Sequence, residues 1–169
     1  VKVFAKGTNW VPLDAFHSRD LQHLHRAIEM LIDLNCNMVR CWGGNVYESE
    51  DFFNLCDQHG IMVWQDFALA CAIYPGDIIP AIRTEAEEVV HRLRNHPSLV
   101  LWCGNNEIDH TYLWSGQGVD PNTDRISREV LAEVVRRLDP FRPYLPSSPF
   151  VSEEVMRRGG DPNLSPEQH

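Results

Sequence analysis

No run of apolar residues in this 169-residue chain is long enough to cross a bilayer, and no low-complexity tract or internal repeat interrupts it. A basic excess is also missing. Fifteen Lys and Arg against 24 Asp and Glu leave a net charge of −9, which argues against non-specific nucleic-acid binding and is what a soluble globular surface carries. The five cysteines form no C-x-x-C pair and the eight histidines no H-E-x-x-H. No metal site is therefore expected, and Cys36, Cys56 and Cys103, set in apolar patterns, read as buried free thiols. Neither G-x-G-x-x-G nor a phosphate-binding P-loop follows any expected strand, so no nucleotide cofactor is expected. The first residue is Val and no signal peptide follows. The chain reads as an excerpt of a longer protein, which leaves the compartment open, although free thiols suit the cytoplasm.

What is present has the composition of an ordinary globular domain, 43% hydrophobic and 23% charged. Residues 3–6 read as a first strand. Ser18 is placed to cap a helix bearing Leu21, Leu24, Ile28, Leu31 and Ile32. Residues 37–42 form the second expected strand. A helix then starts at Ser49 with Glu50 and Asp51 and ends before Gly60. The third strand is expected over 61–66, followed by a helix with Pro80 in its first turn and Ile82, Val89, Val90 and Leu93 on one face. The fourth strand, 99–103, opens after Pro97 and breaks at Gly104. A polar loop over 115–124 leads to a helix with Ile126, Val130, Val134 and Leu138, stopped by Asp139-Pro140. Residues 142–147 read as a proline-interrupted fifth strand, and 152–169 as a polar tail or loop.

Four strand–helix repeats call for a parallel sheet, either an open doubly wound sheet or a barrel. The position of the unusual residues favours the barrel. Asn9 with Trp10, then Trp42, Asp66, and Asn106 with Glu107 all fall at the C-terminal ends of successive strands, which in a barrel converge on one mouth. A whole barrel takes about 250 residues. The chain is thus expected to be a single partial (β/α)8 barrel domain, roughly its first four to five βα units.

Period-two alternation puts Arg40 and Trp42 on one face, and Met62, Trp64 and Asp66 on one face of the next strand. Buried Arg40 needs an anion, and its own strand offers none. Asp66 has a plainer reading as a loop or helix cap, and Trp42 and Trp114 as core packing rather than sugar-stacking surface. Asn106 beside Glu107 sets an amide donor next to an acid, which suits protonation of a leaving oxygen while a neighbouring hydroxyl is gripped.

The blocks 6–12 (KGTNWVP), 39–48 (VRCWGGNVYE), 60–67 (GIMVWQDF) and 96–107 (HPSLVLWCGNNE) resemble, in the same order, the catalytic barrel of glycoside hydrolase family 2, closest to its β-mannosidase branch. The paired Asn105-Asn106 weighs against the β-galactosidase and β-glucuronidase branches, which more often show a single Asn there. The resemblance implies a retaining mechanism in which Glu107 is the general acid/base and the nucleophile lies near a seventh strand, beyond residue 169. It implies that Asn106 holds the sugar 2-hydroxyl, that Arg40 orients the nucleophile, and that Trp42 and Asp66 line the sugar subsite, with Asn9 at the same mouth and Trp114 beside it. The implied partner is a carbohydrate, most closely a terminal β-mannoside, with neither nucleic acid nor membrane. An open half-barrel would also expose sheet edges suited to self-association. A barrel that binds carbohydrate without chemistry is the competing reading, and another family 2 specificity the next.

Overall fold

A computed structural model describes residues 2–116, 118–159 and 161. Five parallel strands lie in the order of the sequence: β1 (Gly7–Trp10), β2 (Met38–Cys41), β3 (Met62–Asp66), β4 (Leu99–Cys103) and β5 (Tyr144–Leu145). Between them run α1 (Leu21–Asp33), α2 (Glu50–His59), α3 (Ile79–Leu93), α4 (Ile108–Trp114) and α5 (Ala132–Leu138), with α6 (Glu153–Arg157) after the last strand. Among the described residues, β1 and β5 pair on one side only, and no helix is long and apolar enough to cross a membrane. The architecture is a partial α/β barrel.

One face of the sheet packs on the helices. Val39, Cys41, Val63 and Trp102 alternate towards a core closed by Leu24, Ile28 and Leu31 of α1, Phe52, Phe53 and Cys56 of α2, and Val89, Val90 and Leu93 of α3. The other face carries Asn9, Arg40 and Trp64 side by side, because Asn9 is in register with Arg40 and Arg40 with Trp64. These three, with Gly7, Thr8 and Met38, line an open cleft of about 340 Å³.

Several boundaries differ from expectation. The first strand is Gly7–Trp10 rather than 3–6. Gly7 approaches β2 so closely that a Cβ there would sit 1.8 Å from the Met38 carbonyl oxygen; a glycine that reads as a strand end in sequence is what permits the pairing. Ser18 does not cap α1. It lies in a 3-10 turn (His17–Arg19), and the helix starts from Asp20, whose carboxylate is spent on the Asp14 N–H and on His17. Ser49 does cap α2, accepting from the Phe52 N–H, and Gly60 ends that helix in the left-handed region. The fifth strand shrinks to two residues between its prolines. The helix expected from Ile126 begins as a π-helix (Ile126–Leu131) and turns regular only at Ala132. The expected polar tail over 152–169 holds α6, with Val155 buried; residues 160 and 162–169 of that stretch lie outside the described residues, as does 117 in the loop over 115–124. All five cysteines are free: Cys41, Cys56 and Cys103 buried, Cys36 half-buried and Cys71 exposed.

Candidate active site

β2 delivers Arg40 to the inner face of the sheet, and β3 delivers Asp66 beside it. The guanidinium grips the carboxylate in a fork, Nη2 to Oδ2 at 2.7 Å and Nε to Oδ1 at 3.4 Å. The carboxylate also accepts from the Gly43 N–H (3.0 Å) and the Trp64 indole N–H (2.8 Å). Its acceptor positions are therefore filled by protein, and its side chain is fully buried. Burial raises the Asp66 carboxyl above its ordinary value, against the pull of Arg40. Arg40 itself stacks over the Trp64 ring, 5.0 Å from its centroid. The partner that its own strand could not offer comes from the next strand. Asp66 caps the loop after β2 as well, through the Gly43 N–H, so its reading as a loop cap holds.

From Arg40 the network reaches the end of β4. Nη2 also donates to Asn106 Oδ1 at 3.0 Å. The backbone of Asn106 bridges to Ala70 on one side and Ser148 on the other, so this amide is held in a short extension of the sheet. Its Nδ2 donates to Cys71 Sγ at 3.4 Å, and Cys71 Sγ in turn lies 3.6 Å from Glu107 Oε2. Glu107 caps α4 from the left-handed region (φ 58°), a conformation uncommon outside glycine. Its N–H is tied to the Ser148 carbonyl at 3.0 Å, and its side chain is half-buried.

The preceding Asn105 holds this turn from beneath. Wholly buried, it donates to Ser127 Oγ (2.7 Å) and the Pro146 carbonyl (3.0 Å) and accepts from the Ile108 N–H (3.1 Å) and Ser147 Oγ (2.7 Å). Asp109 continues the support: Arg128 forks onto it at 3.0 and 2.8 Å, and it accepts from the Val151 N–H. Burial raises the Asp109 carboxyl while Arg128 opposes the shift.

The expected residues thus divide. Arg40, Asp66 and Asn106 are directly bonded, Glu107 joins them through Cys71, and Asn9 shares the cleft with Arg40. Trp42 is half-buried over Gly44, where an added Cβ would meet its ring at 2.2 Å; at Gly43 a Cβ would meet the Leu69 carbonyl oxygen at 2.3 Å. Gly43 is thus required by the close approach of backbone, whereas at Gly44 the Trp42 ring would have to shift. Trp114 sits at the far end of α4, two-thirds exposed, with its ring 4.7 Å from His110. Trp10, grouped with Asn9 by sequence, turns to the helix side and packs on Phe52. Cys71, Asp109 and Arg128 escaped sequence reading, since each is joined to the site only through folding. Away from this site, His17, Asp20 and Glu48 bring ligand-type atoms within 4.8 Å of one another. The His17–Asp20 contact (2.6 Å) and the Trp10–Glu48 hydrogen bond (3.1 Å) already account for that cluster.

Residues 14–156 match the family model for the TIM barrel domain of family 2 glycosyl hydrolases. The chain belongs to glycoside hydrolase family 2. Within the family it is β-mannosidase-like. It is 36% identical over 168 residues to a β-mannosidase of Bos taurus and 37% to that of Capra hircus, in each case covering 93% of this chain and 19% of the relative. A crystal structure of a β-D-mannosidase from Dictyoglomus thermophilum superposes with a TM-score of 0.85 at 45% identity, over all of this chain and 20% of that one. A Parabacteroides merdae β-glucuronidase, 23% identical, has a TM-score of 0.71 over 85% of this chain and 18% of its own, and shares the fold. This chain therefore spans about a fifth of the length of these relatives.

Proposed function

We propose that this chain supplies the acid/base side of the active centre of a retaining exo-β-mannosidase, with Glu107 as general acid and base. The observation that carries this is the pairing of Glu107 with a fixed Asn106. The carboxyl group stands at the C-terminal end of β4, half exposed on a left-handed turn, while the amide next to it is locked by Arg40. An acid at the mouth of a barrel strand, flanked by a polar group that cannot swing away, fits a residue that delivers a proton to a leaving oxygen.

In this reading Asn106 offers its remaining amide hydrogen to the sugar 2-hydroxyl. Arg40 holds Asn106 and faces the position of the attacking carboxylate, and Trp42, Asn9 and Trp114 border the sugar. Asp66 acts mainly through Arg40, because its own acceptors are engaged. Glu107 first protonates the glycosidic oxygen as the bond breaks, then takes a proton from the water that releases the sugar. The nucleophile, needed about 5–5.5 Å from Glu107, belongs to the rest of the barrel rather than to these residues. Similarity to β-mannosidases supports a terminal β-mannoside as substrate.

The test is Glu107→Gln in the full-length enzyme. Hydrolysis of mannosides with poor leaving groups is expected to fall by roughly 10²–10⁴-fold, and bond cleavage in activated aryl mannosides by much less, since a good leaving group needs no proton. Equal losses on both would contradict a role in acid catalysis.

A further inference from the structure

Cys71 has no place in the scheme above, yet it touches two of its members. It lies exposed five residues past β3, with a left-handed backbone (φ 47°) that is unusual for a residue with a Cβ. That conformation is held from outside: the Cys71 N–H donates to the Asn106 carbonyl at 2.9 Å. The result is a continuous donor-to-acceptor chain. Arg40 donates to Asn106 Oδ1 (3.0 Å), Asn106 Nδ2 donates to Cys71 Sγ (3.4 Å), and the thiol donates to Glu107 Oε2 (3.6 Å). A guanidinium can only donate, which fixes Oδ1 of Asn106 as acceptor and its Nδ2 as donor, so the chain has a single polarity. Burial and the Glu107 carboxylate push the Cys71 thiol up against the pull of Asn106, which keeps the proton on sulfur.

We propose that Cys71 is a positioning residue for the acid/base: by donating to Oε2 it leaves Oε1 as the oxygen that carries the catalytic proton and holds that oxygen towards the substrate. A carboxylic acid has two oxygens, and only one can face a leaving group. A hydrogen bond accepted at Oε2 favours that oxygen as the carbonyl-like one, so the proton resides on the other. Loss of the thiol would let the carboxyl group rotate or place its proton on the wrong side, a cost felt only when the leaving oxygen requires protonation. The inference rests on the assignment of Glu107 as acid/base.

The experiment uses the full-length enzyme and a series of aryl β-mannosides of graded leaving-group acidity, with kcat/KM plotted against leaving-group pKa for wild type, Cys71→Ala, Cys71→Gly, Cys71→Ser and Glu107→Gln. Cys71→Gly guards against a folding defect, because glycine suits the positive φ. The Ala and Gly variants are expected to lose about tenfold on the poorest leaving groups, the scale of one hydrogen bond, and under about twofold on the most activated. Their plots would steepen part-way towards that of Glu107→Gln, and Cys71→Ser, which retains a donor, would return most of the way to wild type. A parallel drop across the series for both Ala and Gly, or a Ser variant no better than Ala, would overturn the role of Cys71 while leaving Glu107 in place. A Glu107→Gln plot as shallow as wild type would instead remove the acid/base assignment, and the Cys71 inference with it.

Discussion

At the scale of single residues, the buried Arg40–Asp66 pair has the clearest consequence. Both side chains are nearly or fully inaccessible, and the carboxylate is satisfied four times over. Removing one partner of such a pair leaves a buried charge without compensation, which costs about 3–5 kcal/mol. Asp66→Ala is therefore expected to lower unfolding free energy by about that much, read from denaturant melts of the domain. Its catalytic loss should extend to good leaving groups, since Arg40 and Asn106 are displaced together, and be larger for poor ones, since the chain to Glu107 is broken as well. A stability change under about 1 kcal/mol would contradict the pair's role as the anchor of the site. Arg40, Asp66, Asn106 and Glu107 were all legible as a group in the sequence, because each falls at or near the end of a strand whose pattern is plain. Cys71 was not: its loop has no periodicity, and its contact with Glu107 spans 36 residues. Asp109 and Arg128, 19 residues apart, were hidden in the same way.

At the scale of elements, the strands and long helices followed from apolar spacing, whereas short or strained elements did not. α4 has only seven residues and leaves from a left-handed Glu107, so neither a helical period nor a standard cap announces it. Ile126, Val130, Val134 and Leu138 recur every four residues, which outruns a 3.6-residue turn. The π-helix over Ile126–Leu131 takes up part of that drift, a device invisible to a simple count. α2 is fastened to the start of β4 by Asp57, which accepts from the Ser98 N–H at 2.8 Å and contacts His96 Nδ1 at 2.7 Å. Burial pushes the Asp57 carboxyl up, but the contacts from Ser98 and His96 outweigh it and leave it below its ordinary value. A carboxyl lowered by folding stabilises above its unfolded pKa of about 4 and loses that contribution as pH falls through the lower folded value. Wild type should thus melt above Asp57→Asn near neutral pH, and the gap should close below about pH 4. A gap that stays constant with pH would show that Asp57 acts by shape alone.

At the scale of the molecule, among the described residues the outer strands β1 and β5 each pair on one side, which leaves two strand edges able to pair with a further strand. Residues 1–169 expressed alone are expected not to hydrolyse aryl β-mannosides and to sediment as dimers or larger species; a monomer with turnover would contradict the assignment of the nucleophile to another part of the barrel. The central claim, that Glu107 is the acid/base, is tested most directly by anion rescue of Glu107→Ala in the full-length enzyme with an activated aryl β-mannoside. An anion needs no base to attack the mannosyl-enzyme intermediate, so azide should replace the deprotonated water that Glu107 normally provides. The account predicts that azide restores turnover in the variant, leaves wild type largely unaffected, and yields β-mannosyl azide with retained configuration. Turnover unresponsive to azide, or a product of α configuration, would contradict it.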